Sequence, residues 1–449
     1  MRKWVGMLLS FVLLFGISLP AVQAEGPDGQ DEYSGVGEQE PNNAMDTANV
    51  ILKDSHVSGS LTNTDTDFFK VSIPNKGLFS LYGTTFSYEV GANIVMYDDQ
   101  GNKLESACES STENGGFYCD QTLKPGTYYI QLKSVNDTQN QGIDYEFVTF
   151  VTEPGVQRIS GETRYDTATN IANKGWSEGA SEIVLATGQN FPDALAAGPL
   201  AYSLSAPILL TTKDVLPESV IKFIQDKGVN KVTIIGGTEA VSSQVEGYLR
   251  DSLRLEIYRI SGNDRFETAS KIADELPESY EARAIVVNGR NYPDALSVSS
   301  YAAQNGFPIL LTEVNTVPAV TAEKLSGKEM TTVVGGTEAV SDAVFNQLPD
   351  PERISGKDRY ETSAKVAELL PNISSFVATG TNFADALSGS ALAAMSGQPI
   401  ILTRPTGLSE EAKAFFNNYG VMDYTILGGT SAVGSEVEQE LWNIANSQL

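Results

Sequence analysis

The 449-residue chain is predicted to be multidomain, an N-terminal all-β sandwich followed by three doubly wound α/β modules. The first observation behind this is a phrase that recurs. Arg158-Ile-Ser-Gly-Glu-Thr-Arg164-Tyr165 returns as Arg259-Ile-Ser-Gly-Asn-Asp-Arg265-Phe266 and as Arg353-Ile-Ser-Gly-Lys-Asp-Arg359-Tyr360. Each copy is followed, in one order, by Asn-[Phe/Tyr]-x-Asp-Ala-Leu, Pro-Ile-[Leu/Ile]-Leu-Thr and Gly-Gly-Thr; Asp193, Asp294 and Asp385 mark periods of 101 and 91 residues. Second, short apolar runs alternate with helix-like spacing inside each period, the pattern of a buried parallel sheet with crossover helices. Third, the stretch before Arg158 carries short aromatic and β-branched runs separated by turn residues, as in a compact sandwich.

Taken in order, Arg2 and Lys3 precede an apolar run from Trp4 to Leu19, and Val22-Gln23-Ala24 follows. A charged start, an apolar run too short to span and a small-residue end predict a secretory signal peptide over 1–24. Residues 25–39, rich in Gly, Asp, Glu and Gln, are predicted to be a flexible leader. The sandwich is placed at 40–152, with strands at Phe68–Ile73, Asn93–Tyr97, Thr127–Leu132 and Tyr145–Phe150 and turns at Pro74–Gly77, Asp98–Gly101 and Lys124–Gly126. In the first module, Glu182–Ala186, Pro207–Thr211 and Lys231–Ile235 read as strands. Helices are expected from Thr167, Asp193, Pro217 and Ser242. The period sets the module boundaries at 158–257, 258–351 and 352–449.

The net charge is −27, with 21 acids against 6 bases from Glu25 to Glu153 and 36 against 22 from Arg158 onward. Such an acidic chain argues against nucleic acid as the ligand. The single histidine, His56, excludes a multi-histidine zinc hydrolase and leaves no Ser-His-Asp set beside a nucleophile motif. No nucleophile–base pair recurs in all three copies, and no second acid keeps a fixed spacing from the repeated Asp, so the chain reads as non-enzymatic. Cys108 and Cys119 flank Gly115-Gly116; in an exported chain they suit a cross-strand disulfide, with free thiols as the alternative.

Ligands of doubly wound sheets bind beyond the carboxyl ends of the strands, where the repeated polar phrases fall. Gly-Gly-Thr there is either a tight strand-to-helix turn or part of an anion-holding crevice. Arg164, Arg265 and Arg359 are placed in loops, each two residues before an acid (Asp166, Glu267, Glu361). Either they form structural ion pairs with such acids or they offer a planar guanidinium to phosphate or carboxylate.

In these motifs the chain from Arg158 onward resembles the cell wall binding repeat 2 family of Gram-positive bacteria, whose usual copy number is three. The resemblance implies Rossmann-like modules packed around a pseudo-threefold axis. It also implies noncovalent attachment of a secreted protein to an anionic wall polymer, teichoic acid-like or a secondary wall polysaccharide. Attachment in the family involves the Pro-Ile-Leu-Leu stretch and a neighbouring Arg; read from the residues alone, the stretch is a core strand. These carry over to Pro207, Ile208, Leu209 and Leu210 with Arg164, and to Pro308, Ile309, Leu310 and Leu311 with Arg265. The third copy keeps Arg359 but has Ile401, Ala384 and Ser431 where the others have Leu, Pro and Glu. The segment 40–152 resembles the bacterial pre-peptidase C-terminal domain, through Glu40-Pro-Asn-Asn43, Asp65-Thr-Asp67-Phe-Phe-Lys-Val71 and Leu123-Lys-Pro-Gly-Thr-Tyr-Tyr-Ile130. Some of its members bind calcium near their N-terminal edge. That resemblance offers Glu38, Glu40, Asn42, Asp65 and Asp67 as oxygen ligands, the alternative being turn residues in a solvated entry loop. A sandwich of this kind could instead be the working part of a surface adhesin or protease accessory, or replace the catalytic domain of a wall hydrolase.

Overall fold

The computed structural model describes residues 34–448 apart from 63, 87–89, 106, 111–114, 136–141 and 278–281. The expected signal peptide 1–24 and leader residues 25–33 lie outside the described residues. The described chain divides into two compact units, with Pro154 ending the first and Gly155 beginning the second. Among the described residues no helix is long and apolar enough to cross a membrane.

The first unit is a two-sheet β structure of ten strands. These are β1 (Ser34–Gly37), β2 (Asn49–Ile51), β3 (Ser55–Leu61), β4 (Asp67–Ile73), β5 (Gly77–Thr85), β6 (Gly91–Asp98), β7 (Ala107–Ser110), β8 (Gly116–Leu123), β9 (Gly126–Val135) and β10 (Ile143–Thr152). Six strands in the order β1-β3-β10-β5-β8-β7 face four in the order β2-β4-β9-β6. Period-two alternation buries Phe69, Val71, Leu81, Phe117, Ile130 and Phe147 between them. Cys108 and Cys119 stand opposite one another in the β7–β8 ladder and form a disulfide. The leader is shorter than expected: Ser34–Gly37 pairs in parallel with Ser55–Ser58 of β3. Main-chain pairing orders this glycine-containing segment, which has little side-chain pattern to reveal it.

The second unit holds three four-stranded parallel sheets. In chain order its strands are β11 (Gly155–Ile159), β12 (Glu182–Thr187), β13 (Ile208–Thr211), β14 (Lys231–Ile235), β15 (Glu256–Ile260), β16 (Arg283–Asn288), β17 (Ile309–Thr312), β18 (Met330–Val334), β19 (Pro351–Ile354), β20 (Ser374–Thr379), β21 (Ile400–Thr403) and β22 (Asp423–Leu427). The sheet orders are β13-β12-β14-β15, β17-β16-β18-β19 and β21-β20-β22-β11. Each sheet therefore ends on the first strand of the next repeat, and the third closes on β11, the first strand of the first repeat. Boundaries at 257 and 351 cut through β15 and β19. The sequence period finds the repeating unit, but the hydrogen-bonded unit is offset from it by one strand.

The first arginine of each phrase fastens this exchange. Arg158 Nη1 donates to the Gly428 carbonyl at 2.8 Å, and its Nη2 meets Glu438 at 2.6 Å. Arg259 does the same to Gly236 and Glu246, and Arg353 to Gly335 with a longer 3.5 Å contact to Asp342. Inside, the helices Ala197–Ser203, Pro293–Gln304 and Ala384–Met395 pack against one another. A Cβ on Gly198 would collide with Ser299 Oγ and crowd Ser390 Oγ, the residues at the same place in the other two copies. Phe191, Tyr292 and Phe383, also equivalent, meet pairwise with ring centroids 5.3, 5.9 and 6.3 Å apart.

Deleting residues 155–159 is expected to raise amide exchange along Tyr424–Ile426, some 270 positions away, because β22 loses one of its two partners and Glu438 its arginine. Exchange along Ile183–Ala186 of the first repeat should change far less. Equal loss in both places would show that closure is not local to the third sheet.

Candidate polymer-binding crevices

Arg164, Arg265 and Arg359 do not sit in loops: each is the first residue of a helix, Arg164–Gly175, Arg265–Asp274 and Arg359–Ala367. The residue before each is the cap. Thr163 and Asp166 form a capping box, and the Asp264 and Asp358 carboxylates accept from two backbone N–H groups each. The cap fixes where the arginine starts, and one hydrogen bond fixes where it ends. Nη1 donates to the carbonyl of Gly188 at 2.5 Å, of Gly289 at 2.7 Å and of Gly380 at 2.6 Å. Those glycines are held in turn by the last residue of the neighbouring strand, since Gly188 N donates to the Thr211 carbonyl, Gly289 N to Thr312 and Gly380 N to Thr403.

Ion pairs with Asp166, Glu267 and Glu361, one of the two readings the sequence left open, are not formed. Asp166 serves the cap, Glu267 meets Lys271 at 3.0 Å, and Glu361 meets Lys365 at 3.1 Å. Among the described residues the three arginines make no salt bridge, so each half-buried guanidinium keeps N–H donors beyond the one it spends on glycine. Their rings come from other repeats: Arg164 lies 5.8 Å from the centroid of Phe383, and Arg359 5.6 Å from that of Tyr292.

Facing each arginine is the repeated aspartate of the repeat before it, the third repeat serving the first. Arg265 feels Asp193, Arg359 feels Asp294, and Arg164 feels Asp385. These carboxylates pack under the Gly-Gly turn, where Gly236, Gly335 and Gly428 have φ of +102°, +119° and +104°. A side chain there would be strained and would also strike the carboxylate. Burial pushes Asp294 up to about 6 against the pull of Arg359, and raises Asp385 against Arg164. Burial and Arg290 together draw Arg265 below its usual value. Between the first and second repeats the walls enclose a cleft of about 510 Å³, lined by Asp193, Thr238 and Glu239 on one side and Asp264, Arg265 and Arg290 on the other.

Each crevice is thus built from two repeats, which sequence reasoning by single copies missed. The third copy's departures, Ala384 and Ser431, fall on the same side of a crevice as Asp385, opposite Arg164, whereas Arg359 shares its crevice with Asp294. The Pro-Ile-Leu-Leu assignment needs correction as well. Ile208, Leu209 and Leu210 are 0% exposed and Ile309, Leu310 and Leu311 are 1% exposed, with Pro207 and Pro308 also buried. These side chains cannot touch a polymer. Their strand sets the threonine that sets the glycine that orients the arginine.

In the first unit, ligand atoms of Glu38, Glu40, Asp65 and Asp67 lie within 4.8 Å of one another. Asn42, fully buried, donates from Nδ2 to Glu38 Oε1 at 3.1 Å, and its backbone N–H donates to Glu40 at 2.9 Å. Tyr145 donates its hydroxyl to Asp67 Oδ2 at 2.7 Å. Burial, then the neighbouring Glu38, pushes Asp67 up to about 9. Asn42 Oδ1 and Asp67 Oδ1 are buried without a hydrogen-bond partner.

Repeats that share strands and present half-buried arginines beside repeated aspartates, buried at Asp294 and half-buried at Asp193 and Asp385, define a tandem-repeat binding protein. The Cell wall binding domain 2 (CWB2) family matches residues 158–246, 259–345 and 353–438, more than half of the chain, and the protein belongs to that family. It is 36% identical over 300 residues to the N-acetylmuramoyl-L-alanine amidase LytC of Bacillus subtilis (strain 168), covering 66% of this chain and 60% of that protein. It is 34% identical over 289 residues to the amidase enhancer of the same organism, covering 63% of this chain and 40% of that one. The solved structure of Cwp8 from Clostridium difficile is similar at a TM-score of 0.59 and 30% identity, over 66% of this chain and 52% of that one.

Because Asp294 titrates above its ordinary 3.8, the folded chain holds that proton more tightly than the unfolded one, and stability falls as pH rises through about 6. The ionised form at neutral pH costs at most about 3 kcal/mol. Asp294→Asn is expected to melt higher than the parent at neutral pH, with the gain vanishing near pH 4. A constant difference at every pH would exclude the buried carboxylate as its source.

Proposed function

We propose that residues 155–448 form a Rossmann-like, pseudo-threefold ring that holds a secreted protein on the Gram-positive cell wall by binding an anionic wall polymer. The observation that carries this is the three arginines at helix starts, each with unspent donors and no salt bridge, set in crevices that recur around the ring. A helix N-terminus and a free planar fork both favour phosphate or carboxylate. The adjoining aspartate can accept from polymer hydroxyls, so the crevice is suited to a hydroxylated anionic chain more than to a bare anion. Several weak crevices on one rigid body gain retention by effective concentration. That suits an acidic protein, which long-range attraction would not steer to such a ligand. Membership of the CWB2 family and similarity to a wall amidase and an amidase enhancer support the reading.

On this reading the chain binds and does not cleave. The β unit is the displayed part, resembling the pre-peptidase C-terminal domain, and it holds calcium through Glu38, Glu40, Asn42, Asp65 and Asp67. The two buried oxygens without donors support the cation, which would satisfy both and neutralise the crowded carboxylates.

Sedimentation of the full chain with purified walls, before and after hydrofluoric acid removes phosphodiester-linked polymers, tests the anchor. Binding should disappear with the polymer; survival would move the ligand to peptidoglycan. Arg265→Ala should lower retention about tenfold at unchanged melting temperature, the loss of a charge-assisted hydrogen bond. For calcium, calorimetric titration of metal-free protein should show binding that Asp67→Asn removes. No heat, with no change of melting temperature on adding calcium, would eliminate the cation.

A further inference from the structure

The rims of the crevices differ in a way the repeats conceal. Gln189, Arg290 and Thr381 are equivalent, one residue beyond the glycine that holds the repeated arginine. Thr212, Glu313 and Arg404 are likewise equivalent, one residue beyond the Pro-Ile-[Leu/Ile]-Leu-Thr strand. The second and third repeats therefore each carry one extra arginine, but at different positions and from different strands, β16 and β21. Both arrive at the same place. Arg290 lies over the ring of Phe266, 5.8 Å from its centroid, and Arg404 over the ring of Tyr360 at 4.2 Å. Phe266 and Tyr360 are themselves equivalent, each directly following the repeated arginine. The first repeat has Tyr165 there, but only Gln189 and Thr212 on the two strand ends.

Each extra arginine is steadied by one acid. Arg290 uses Nε and Nη2 on Glu313, and Arg404 uses Nη2 on Asp358 at 2.9 Å. Both side chains stay largely exposed, 57% and 46%. A stacked, half-paired guanidinium with remaining donors is pre-oriented at low entropic cost. Arg265 and Arg290 line the same cleft.

We propose, resting on the anchoring reading above, that Arg290 and Arg404 are specificity-determining contacts. The crevices of Arg265 and Arg359 grip each anionic group of the polymer between two guanidiniums, and the crevice of Arg164 grips with one. Two forks approaching one group from different directions suit a tetrahedral phosphodiester, whose two free oxygens accept outside a single plane, better than the flat carboxylate of a uronic acid. The ring is accordingly two strong sites and one weak one.

The test measures affinity of the full chain for poly(glycerol phosphate) and, separately, for polygalacturonate. Arg290→Gln and Arg404→Gln should each weaken poly(glycerol phosphate) binding about tenfold, with a smaller effect on polygalacturonate. Gln189→Arg, which supplies a second guanidinium beside Tyr165, should strengthen it, a gain that a merely structural role could not produce. If both Gln variants and Gln189→Arg bind like the parent while Arg265→Ala still weakens binding, the second-arginine inference is wrong and the anchoring reading stands. If Arg265→Ala is also without effect, both fall. Equal losses on the two polymers would keep the extra arginines as contacts but overturn the preference for phosphodiester. Should either Gln variant melt lower, Gln189→Arg decides alone.

Discussion

The second unit depends on one constraint, the pairing of each repeat's first strand with the sheet of the repeat before it. In each sheet the fourth strand comes from a neighbouring repeat and pairs with β14, β18 or β22, so the edge passes to the borrowed strand. The third sheet takes β11 in that place, so the chain's order closes on itself, 270 residues apart in the Arg158–Gly428 contact. Because the arginine that follows each exchanged strand starts a helix beyond the sheet's carboxyl end, it is delivered to the previous repeat's Gly-Gly turn. The crevices are composite for that reason, and the aspartate under the turn meets an arginine from the next phrase.

Electrostatics in these crevices is local. A chain of net charge −27 cannot draw in an anionic polymer from a distance, and screening confines attraction to about 10 Å. What counts there is desolvation and orientation. The glycine carbonyl takes one N–H of each repeated arginine and leaves the others, while burial keeps Asp294 and Asp385 reluctant to ionise, which weakens their opposition to an incoming anion. The Phe383 ring limits the rotamers of Arg164 without consuming a donor, while Tyr292 beside Arg359 also accepts from its Nη1 at 3.4 Å.

In the β unit the acidic cluster is an expense of the opposite kind. Four carboxylates and a buried amide crowd one edge of the sheets, with Tyr145 donating to Asp67 from the core side. Glu38 reaches the cluster because β1 is paired to β3, and its Oε2 accepts from Ser60 N at 2.8 Å. The short strand that sequence pattern did not reveal is what brings the first acid into place.

The sequence by itself determined the two architectures, the number of repeats, the strand and helix alternation, and the identity of the repeated arginines and aspartates. Recurrence exposes these: a residue needed three times is written three times. It also marked Arg158, Arg259 and Arg353 without disclosing that they clip a neighbouring repeat. Only the tertiary structure decided that each crevice spans two repeats, and that Arg290 and Arg404 occupy one location from unmatched positions. The physical reason is that strand exchange and stacking join residues far apart along the chain. A local pattern encodes which face a residue buries, but not which distant partner fills the space beside it.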